Sequence, residues 1–166
     1  MDFSESYKFS GPPPAFSPDG RFLATVLDYR LVIREADSLQ VVQIYSCLDR
    51  IHRVEWAPNS VYVLAALHDR AAVQVWSVDD AEWHCKIDEG PAGVASARWA
   101  PDGTALVVVA DFQIRLSVWS LVDRSCVVIP KPKFADRGLS FSPDGQMMAL
   151  AHVRRVVASS FPRPAP

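Results

Sequence analysis

His84 and Cys85 are neighbouring residues whose side chains could ligate a metal ion or supply a nucleophile. They fall in a short segment that is predicted to be a β-strand, where successive side chains point to opposite faces. One site could therefore not use both. A tetrahedral metal site also needs further ligands, and the sequence holds no second close pair of Cys or His. We expect an ordinary strand here, with no metal and no cofactor.

The remaining acidic and histidine residues form no complete catalytic motif. Asp79-Asp80 and Asp88-Glu89 could act as paired acids, but solvated loop acids are the commoner use of such pairs. His52, His68 and His152 are isolated in the sequence, and no Gly-x-Ser-x-Gly turn marks a serine nucleophile. We therefore predict that the chain is not an enzyme.

The composition restricts the classes of partner. The 166-residue chain has a formal net charge of −2, so it carries no basic excess for a nucleic acid or an anionic membrane surface. Hydrophobic residues make up 49% of it, enough for a packed core. No stretch approaches the roughly 20 apolar residues of a membrane span. Cys47, Cys85 and Cys126 are odd in number and include no close Cys-x-x-Cys pair, which favours a reduced, intracellular compartment.

A five-residue turn motif reveals an internal repeat. Its copies are Phe16–Gly20, Trp56–Ser60, Trp99–Gly103 and Phe141–Gly145, and their aromatic residues lie 40, 43 and 42 residues apart. Proline presets the first central position of a turn, and glycine provides the positive φ at its exit. Where Ser60 replaces that glycine, we expect Asn59 to take the left-handed conformation. A period of about 40–45 residues is typical of β-propeller blades, whereas an ordinary β-sandwich does not predict it.

Each repeat contains segments for four strands, which is one propeller blade. The apolar run after each turn is continuous enough for a strand that is covered on both faces. A third strand follows, with Trp76 and Trp119 each 20 residues after the turn aromatic. Asp28, Asp69 and Asp111 open the turns between the second and third strands. The sequence therefore predicts an all-β chain with antiparallel blades.

Of the five tryptophans, four are in phase with the repeat and one is out of phase. We expect the four in-phase tryptophans to be largely buried between blades. Trp83 lies on a predicted outer strand, out of that phase, and is our candidate partner contact. The structural repeat positions that we assign are Phe16, Trp56, Trp76, Trp99, Trp119, Phe141, Asp28, Asp69 and Asp111.

The repeat divides the chain into three complete blades and an incomplete fourth. The blade ranges are 1–46, 47–88, 89–130 and 131–161, followed by a proline-rich tail at 162–166. Pro12-Pro13-Pro14 stands where the first strand of blade one belongs, so that strand must be short, at an edge or absent. We expect a partial propeller, that is, a fragment, a truncated isoform or a partial gene model.

The aromatic-Ser/Ala-Pro-Asp-Gly turn, followed twenty residues later by Val-x-Val-Trp-Ser, resembles the WD40 superfamily over residues 16–152. The Gly-His dipeptide of a typical repeat is absent; its positions hold Tyr7, Cys47, Gly90 and Pro132. The usual Trp-Asp is also replaced, because Ser77 and Ser120 follow the tryptophans and blade one has Arg34. The hydrogen-bond set that staples a typical blade is therefore incomplete, although the three repeated aspartates can still bond turn backbone.

A narrower resemblance is carried by the segment Glu82–Gly90, together with Met1–Glu5, Tyr29–Arg34 and Val73–Ser77. These segments resemble a divergent WD-repeat family found at centrosomes and spindle poles. The resemblance implies an adaptor that anchors microtubule minus ends with a coiled-coil centrosomal anchoring protein and a minus-end-directed kinesin. It also implies links to centriolar satellites and cilium assembly.

The sequence as a whole predicts a non-catalytic protein–protein interaction scaffold at the centrosome or spindle pole, in the cytoplasm and cytoskeleton. We expect no nucleic acid and no membrane among its partners. One alternative is a WD adaptor in another complex, such as ubiquitin ligation or translation initiation. The other is a propeller that accompanies a hydrolase.

Overall fold

The computed structural model describes residues 6–132, 134, 138–152 and 155–160. These residues form four antiparallel β-sheets, each made of strands that are consecutive in the chain. The all-β partial propeller that the repeat predicted is confirmed, with three four-stranded blades and three described strands of a fourth. The proline-rich tail at 162–166 lies outside the described residues.

The strand bounds follow the repeat. Blade one contains β1 (Ala15–Phe16), β2 (Phe22–Leu27), β3 (Arg30–Glu35) and β4 (Val41–Ser46). Blade two contains β5 (Arg53–Trp56), β6 (Tyr62–Leu67), β7 (Ala72–Ser77) and β8 (His84–Asp88). Blade three contains β9 (Ser96–Trp99), β10 (Ala105–Val109), β11 (Arg115–Ser120) and β12 (Cys126–Pro130). Blade four contains β13 (Leu139–Phe141), β14 (Met147–His152) and β15 (Arg155–Ser160).

Proline shapes the start of the first blade. β1 has two residues and lies at the edge of its sheet, directly after the Pro12–Pro14 run. Proline has no backbone N–H to donate to a sheet, so the ladder can begin only after it.

The repeated turn is closed by a serine or alanine at its second position and by a left-handed residue at its exit. In the first copy the backbone N–H of Gly20 donates to the Ser17 carbonyl at 2.9 Å, with φ +75° at Gly20. In the second copy Ser60 itself takes φ +60°, so the expectation for Asn59 was wrong. Asn59 instead packs against the next blade, where its side-chain amide donates to the carbonyl of Gly103 at 3.4 Å.

The inner strands of blades two and three are covered on both faces, as predicted. Along β6, Val63, Ala65 and Leu67 pack against blade one, whereas the alternate residues Leu64 and Ala66 pack against blade three. β10 divides in the same way between blades two and four. Each interior sheet therefore contributes to two cores, which is why its apolar run is continuous.

Among the described residues, blade one has a neighbouring blade on one face only. Along β2 the side chains that face blade two are buried, and the alternate ones are half-buried or exposed. Part of the outer face is covered by the chain before β1: the guanidinium of Arg34 lies 4.2 Å from the ring centroid of Tyr7, and the Ser10 N–H donates to the Val26 carbonyl at 2.8 Å.

The first-strand tryptophans connect successive blades. The indole N–H of Trp56 donates to the Ala15 carbonyl at 2.9 Å, and its ring stacks on Phe22 at 6.2 Å. One repeat later the indole N–H of Trp99 donates to the Glu55 carbonyl at 3.1 Å. Its ring stacks on a residue of β6, which repeats the arrangement at the next junction.

The in-phase aromatic residues differ in burial according to the neighbour that each one meets. Trp56, Trp76 and Trp99 are buried as predicted, whereas Trp119 is only half-buried. Phe141 is half-buried against the core between blades three and four. Phe16 occupies the same repeat position as Trp56 but is 63% exposed, because no described blade precedes it.

These contacts predict that replacing Trp99 with alanine costs about 3–5 kcal/mol of unfolding free energy, since a buried aromatic ring and an inter-blade hydrogen bond are both lost. The measurement is the denaturant midpoint of the purified chain. Phe16→Ala at the exposed equivalent position is the matched control and should leave the midpoint nearly unchanged. Equal shifts in the two variants would contradict inter-blade packing as the source of stability.

Candidate functional site

The blades present two rims. We call the aspartate rim the end that carries the turns between second and third strands, which contain Asp28, Asp69 and Asp111, together with the loops that enter each first strand. We call the proline rim the opposite end, which carries the repeated proline turns and the turns between third and fourth strands. In an up-and-down antiparallel sheet, alternate connections lie at opposite ends, so this division follows from the strand order.

Each repeated aspartate lies against the loop that enters the first strand of its own blade. The Ser10 hydroxyl accepts from the Asp28 N–H at 2.6 Å and lies 3.2 Å from its carboxylate. Asp69 lies 3.4 Å from Nε2 of His52. In blade three the carboxylate of Asp111 occupies the space above Gly93, where a Cβ would stand 1.9 Å from Oδ2.

His52 is isolated in sequence but not in space. Its ring centroid lies 5.1 Å from that of His68 on the aspartate rim. Burial lowers the pKa of His68, and the charge of His52 lowers it further, whereas Asp111 and Asp69 oppose the shift. Among the described residues, no group of three or more His, Cys, Asp or Glu side chains is placed to hold a metal ion.

Glu89 is the site residue that the sequence analysis missed. Asp88 is exposed in an ion pair with Lys86, as expected for a loop acid, but the side chain of Glu89 is only 1% exposed. Its carboxylate accepts from Nε of Arg115 at 2.8 Å, from the Ser117 hydroxyl at 3.3 Å and from the indole N–H of Trp119 at 3.0 Å. The donors come from alternate positions of β11, so one face of that strand holds the acid that directly follows β8 of blade two.

The side chain of Trp83 is partly packed against the core and partly exposed. Its ring meets Tyr62 with centroids 4.7 Å apart, and it is half-buried at the edge of the core between blades two and three. It also lines a groove that opens on the outer side of these two blades, together with Cys85, Trp119 and Arg124. The candidate contact therefore has one part fixed by the fold and another part at the surface.

The thiols near the blade junctions are poor nucleophiles. Burial raises the pKa of Cys47 to about 12 and that of Cys85 to about 11. At neutral pH both are therefore almost entirely protonated, and a thiol in that form reacts slowly. His84 is exposed whereas Cys85 is half-buried, in keeping with side chains on opposite faces of β8.

Apolar side chains project from the aspartate rim. Phe112 is 98% exposed at the tip of the turn between β10 and β11. Phe112 and Gln113 both adopt a left-handed backbone, with φ +52° and +53°, which is unusual for two consecutive residues other than glycine. Tyr29, on the corresponding turn of blade one, and Leu48 are also exposed. No helix in the described part of the chain is long and apolar enough to cross a membrane.

The two neighbouring acids give a direct test of the buried network. Glu89→Ala would leave the Ser117 hydroxyl and the Trp119 indole N–H without their acceptor, which costs about 1–3 kcal/mol for a buried donor, so it should lower the denaturant midpoint. Asp88→Ala, one residue away in an exposed ion pair, is the matched control and should change the midpoint little. A Glu89→Ala variant as stable as the control would rule out the network as a structural link between blades.

The comparisons with known proteins agree with this architecture. No protein-family model matches the chain. It is 48% identical over 154 residues to the mouse (Mus musculus) protein named WD repeat-containing protein WRAP73, a match that covers 93% of this chain and 33% of that relative. The chain therefore spans about a third of the length of the curated relative it matches.

The same fold is found among solved structures. The β-propeller domain of Myceliophteria thermophila Cps50 (Swd1) superposes with a TM-score of 0.69 at 15% identity, covering 87% of this chain and 51% of that one. Hydrazine synthase of Kuenenia stuttgartiensis gives a TM-score of 0.65 at 16% identity, covering 96% of this chain and 49% of that one. At these identities the likeness concerns the fold alone. With its repeated turns, its stacked four-stranded blades and its similarity to a WD-repeat protein along nearly its whole length, the chain belongs to the WD40-repeat superfamily of β-propeller proteins.

Proposed function

We propose that this chain is a non-catalytic scaffold that binds other proteins through its aspartate rim. The observation that carries the proposal is Phe112, a large apolar side chain that is 98% exposed on a turn where Phe112 and Gln113 both have a left-handed backbone. Exposed aromatic side chains on rigid turns are typical anchors of protein interfaces. Backbone strain is also most often retained at functional positions.

The cellular setting is the finer part of the proposal. The segment Glu82–Gly90 resembles WD-repeat adaptors of centrosomes and spindle poles, and the 48% identity to a WD-repeat protein supports kinship at the level of the repeat family. We place the chain in an adaptor that helps anchor microtubule minus ends and supports spindle or cilium assembly. Its partners would be a coiled-coil centrosomal anchoring protein and a minus-end-directed kinesin, in the cytoplasm and cytoskeleton.

The test is the distribution of the tagged protein in dividing cells, followed by identification of the proteins that co-purify with it. We expect enrichment at the spindle poles and co-purification of the two partner classes. Phe112→Ala should abolish both, because it removes the anchor without touching any core residue.

Val122→Ala is the matched control. Val122 is 72% exposed in the turn between β11 and β12, on the opposite, proline rim, so its truncation should leave the distribution intact. An even cytoplasmic distribution of the wild-type protein would overturn the assignment to spindle poles. Retention of every partner by Phe112→Ala would overturn the aspartate rim as the binding surface.

A further inference from the structure

The outer groove between blades two and three has a structural cause that can be traced to one position of the repeat. At the junction of blades one and two, Tyr45 of β4 stacks on Trp76 at 5.0 Å and its hydroxyl donates to the Ser77 carbonyl at 2.8 Å. The strand register places Ile87 at the corresponding position of β8, opposite Val73 as Tyr45 is opposite Leu31. Since isoleucine is smaller than tyrosine, the space beside Trp119 remains open.

Apolar and polar side chains both line this groove. Trp83, Trp119 and Leu121 contribute to it, and Cys85 lies among them as a neutral thiol. The indole N–H of Trp119 is already bonded to Glu89, so Trp119 offers the groove its ring rather than a donor. The volume is about 280 Å³, just below the usual range for small-molecule pockets, and suits one or two inserted side chains.

The charge at the groove has one sign. Its charged lining residues, Lys86 and Arg124, are both basic, and none of the described lining residues is acidic, although the whole chain has a net charge of −2. Lys86 is engaged by Asp88 at 2.9 Å. Arg124 forms no ion pair with the residues that the structure describes, and its positive charge opposes the rise in the pKa of the Cys85 thiol. A free guanidinium beside apolar side chains is complementary to a carboxylate next to an apolar side chain.

We propose that this groove binds an acidic peptide segment of a partner protein, with one apolar side chain between Trp83 and Trp119 and a flanking carboxylate on Arg124. The proposal deepens the scaffold function proposed above and rests on it. It adds a second contact surface, on the outer side of the blades and away from Phe112. A partner that engages both surfaces would gain affinity from their linkage.

The experiment uses fluorescence anisotropy with a labelled eight-residue peptide in which glutamates flank a single leucine. The purified wild-type chain should bind it, and binding should weaken as salt increases. Arg124→Glu should weaken binding by about tenfold or more, since attraction becomes repulsion. A peptide with glutamine in place of glutamate, and another with serine in place of leucine, should each bind more weakly than the parent peptide.

Lys131→Glu is the control variant, because it makes the same change of charge at an exposed residue outside the groove lining. It should bind the peptide like the wild type. Failure of the wild-type chain to bind the glutamate peptide, or equal binding by Arg124→Glu, would overturn the proposal. Preferential, Arg124-dependent binding of phosphatidylserine vesicles or single-stranded DNA would overturn it in favour of another acidic ligand. If the peptide fails while Phe112-dependent partner binding persists, the groove proposal fails and the scaffold function stands.

Discussion

The indole of each first-strand tryptophan joins an inner blade to the blade before it. A single four-stranded sheet has two apolar faces and cannot cover either by itself, so stacking is the condition for its stability. Trp56 and Trp99 meet that condition in the same way, with the ring on an aromatic residue of the preceding second strand and the N–H on a carbonyl of the preceding first strand. The phenyl ring of Phe141 has no N–H and cannot make the indole hydrogen bond, and no described blade precedes Phe16.

The junctions between blades share this arrangement but differ in the residues at equivalent positions of the repeat. Tyr45 fills the space beside Trp76, whereas Ile87 leaves a groove beside Trp119. The residue two places further on differs as well. Cys47 is half-buried against the first core, and Glu89 is a buried acceptor for three donors of β11. The fold thus accepts a polar or an apolar residue at equivalent positions of different junctions, provided that each buried polar group is paired.

The predictions from sequence succeeded where the signal is periodic and local. The spacing of the turns and the phase of the tryptophans were sufficient for the blade number and the strand order, because both depend on residues close in the chain. Contacts across blades carry no such local signal. The burial of Glu89 depends on donors 26 to 30 residues away, and the exposure of Phe16 depends on which blade stands next to it. The alternation of Arg115, Ser117 and Trp119 was the one sequence feature that could have indicated a buried acceptor.

Hydrogen exchange of the indole N–H groups, followed by NMR, tests most directly whether the tryptophans link the blades. The N–H groups of Trp56 and Trp99 are each bonded to a carbonyl of the neighbouring blade, so both should exchange only when the blades separate, at rates close to that of global unfolding. Trp83, half-buried at the groove, supplies the internal comparison and should exchange much faster. Exchange of Trp56 and Trp99 as fast as that of Trp83 would contradict the account, because the inter-blade bonds would then not hold the stack together.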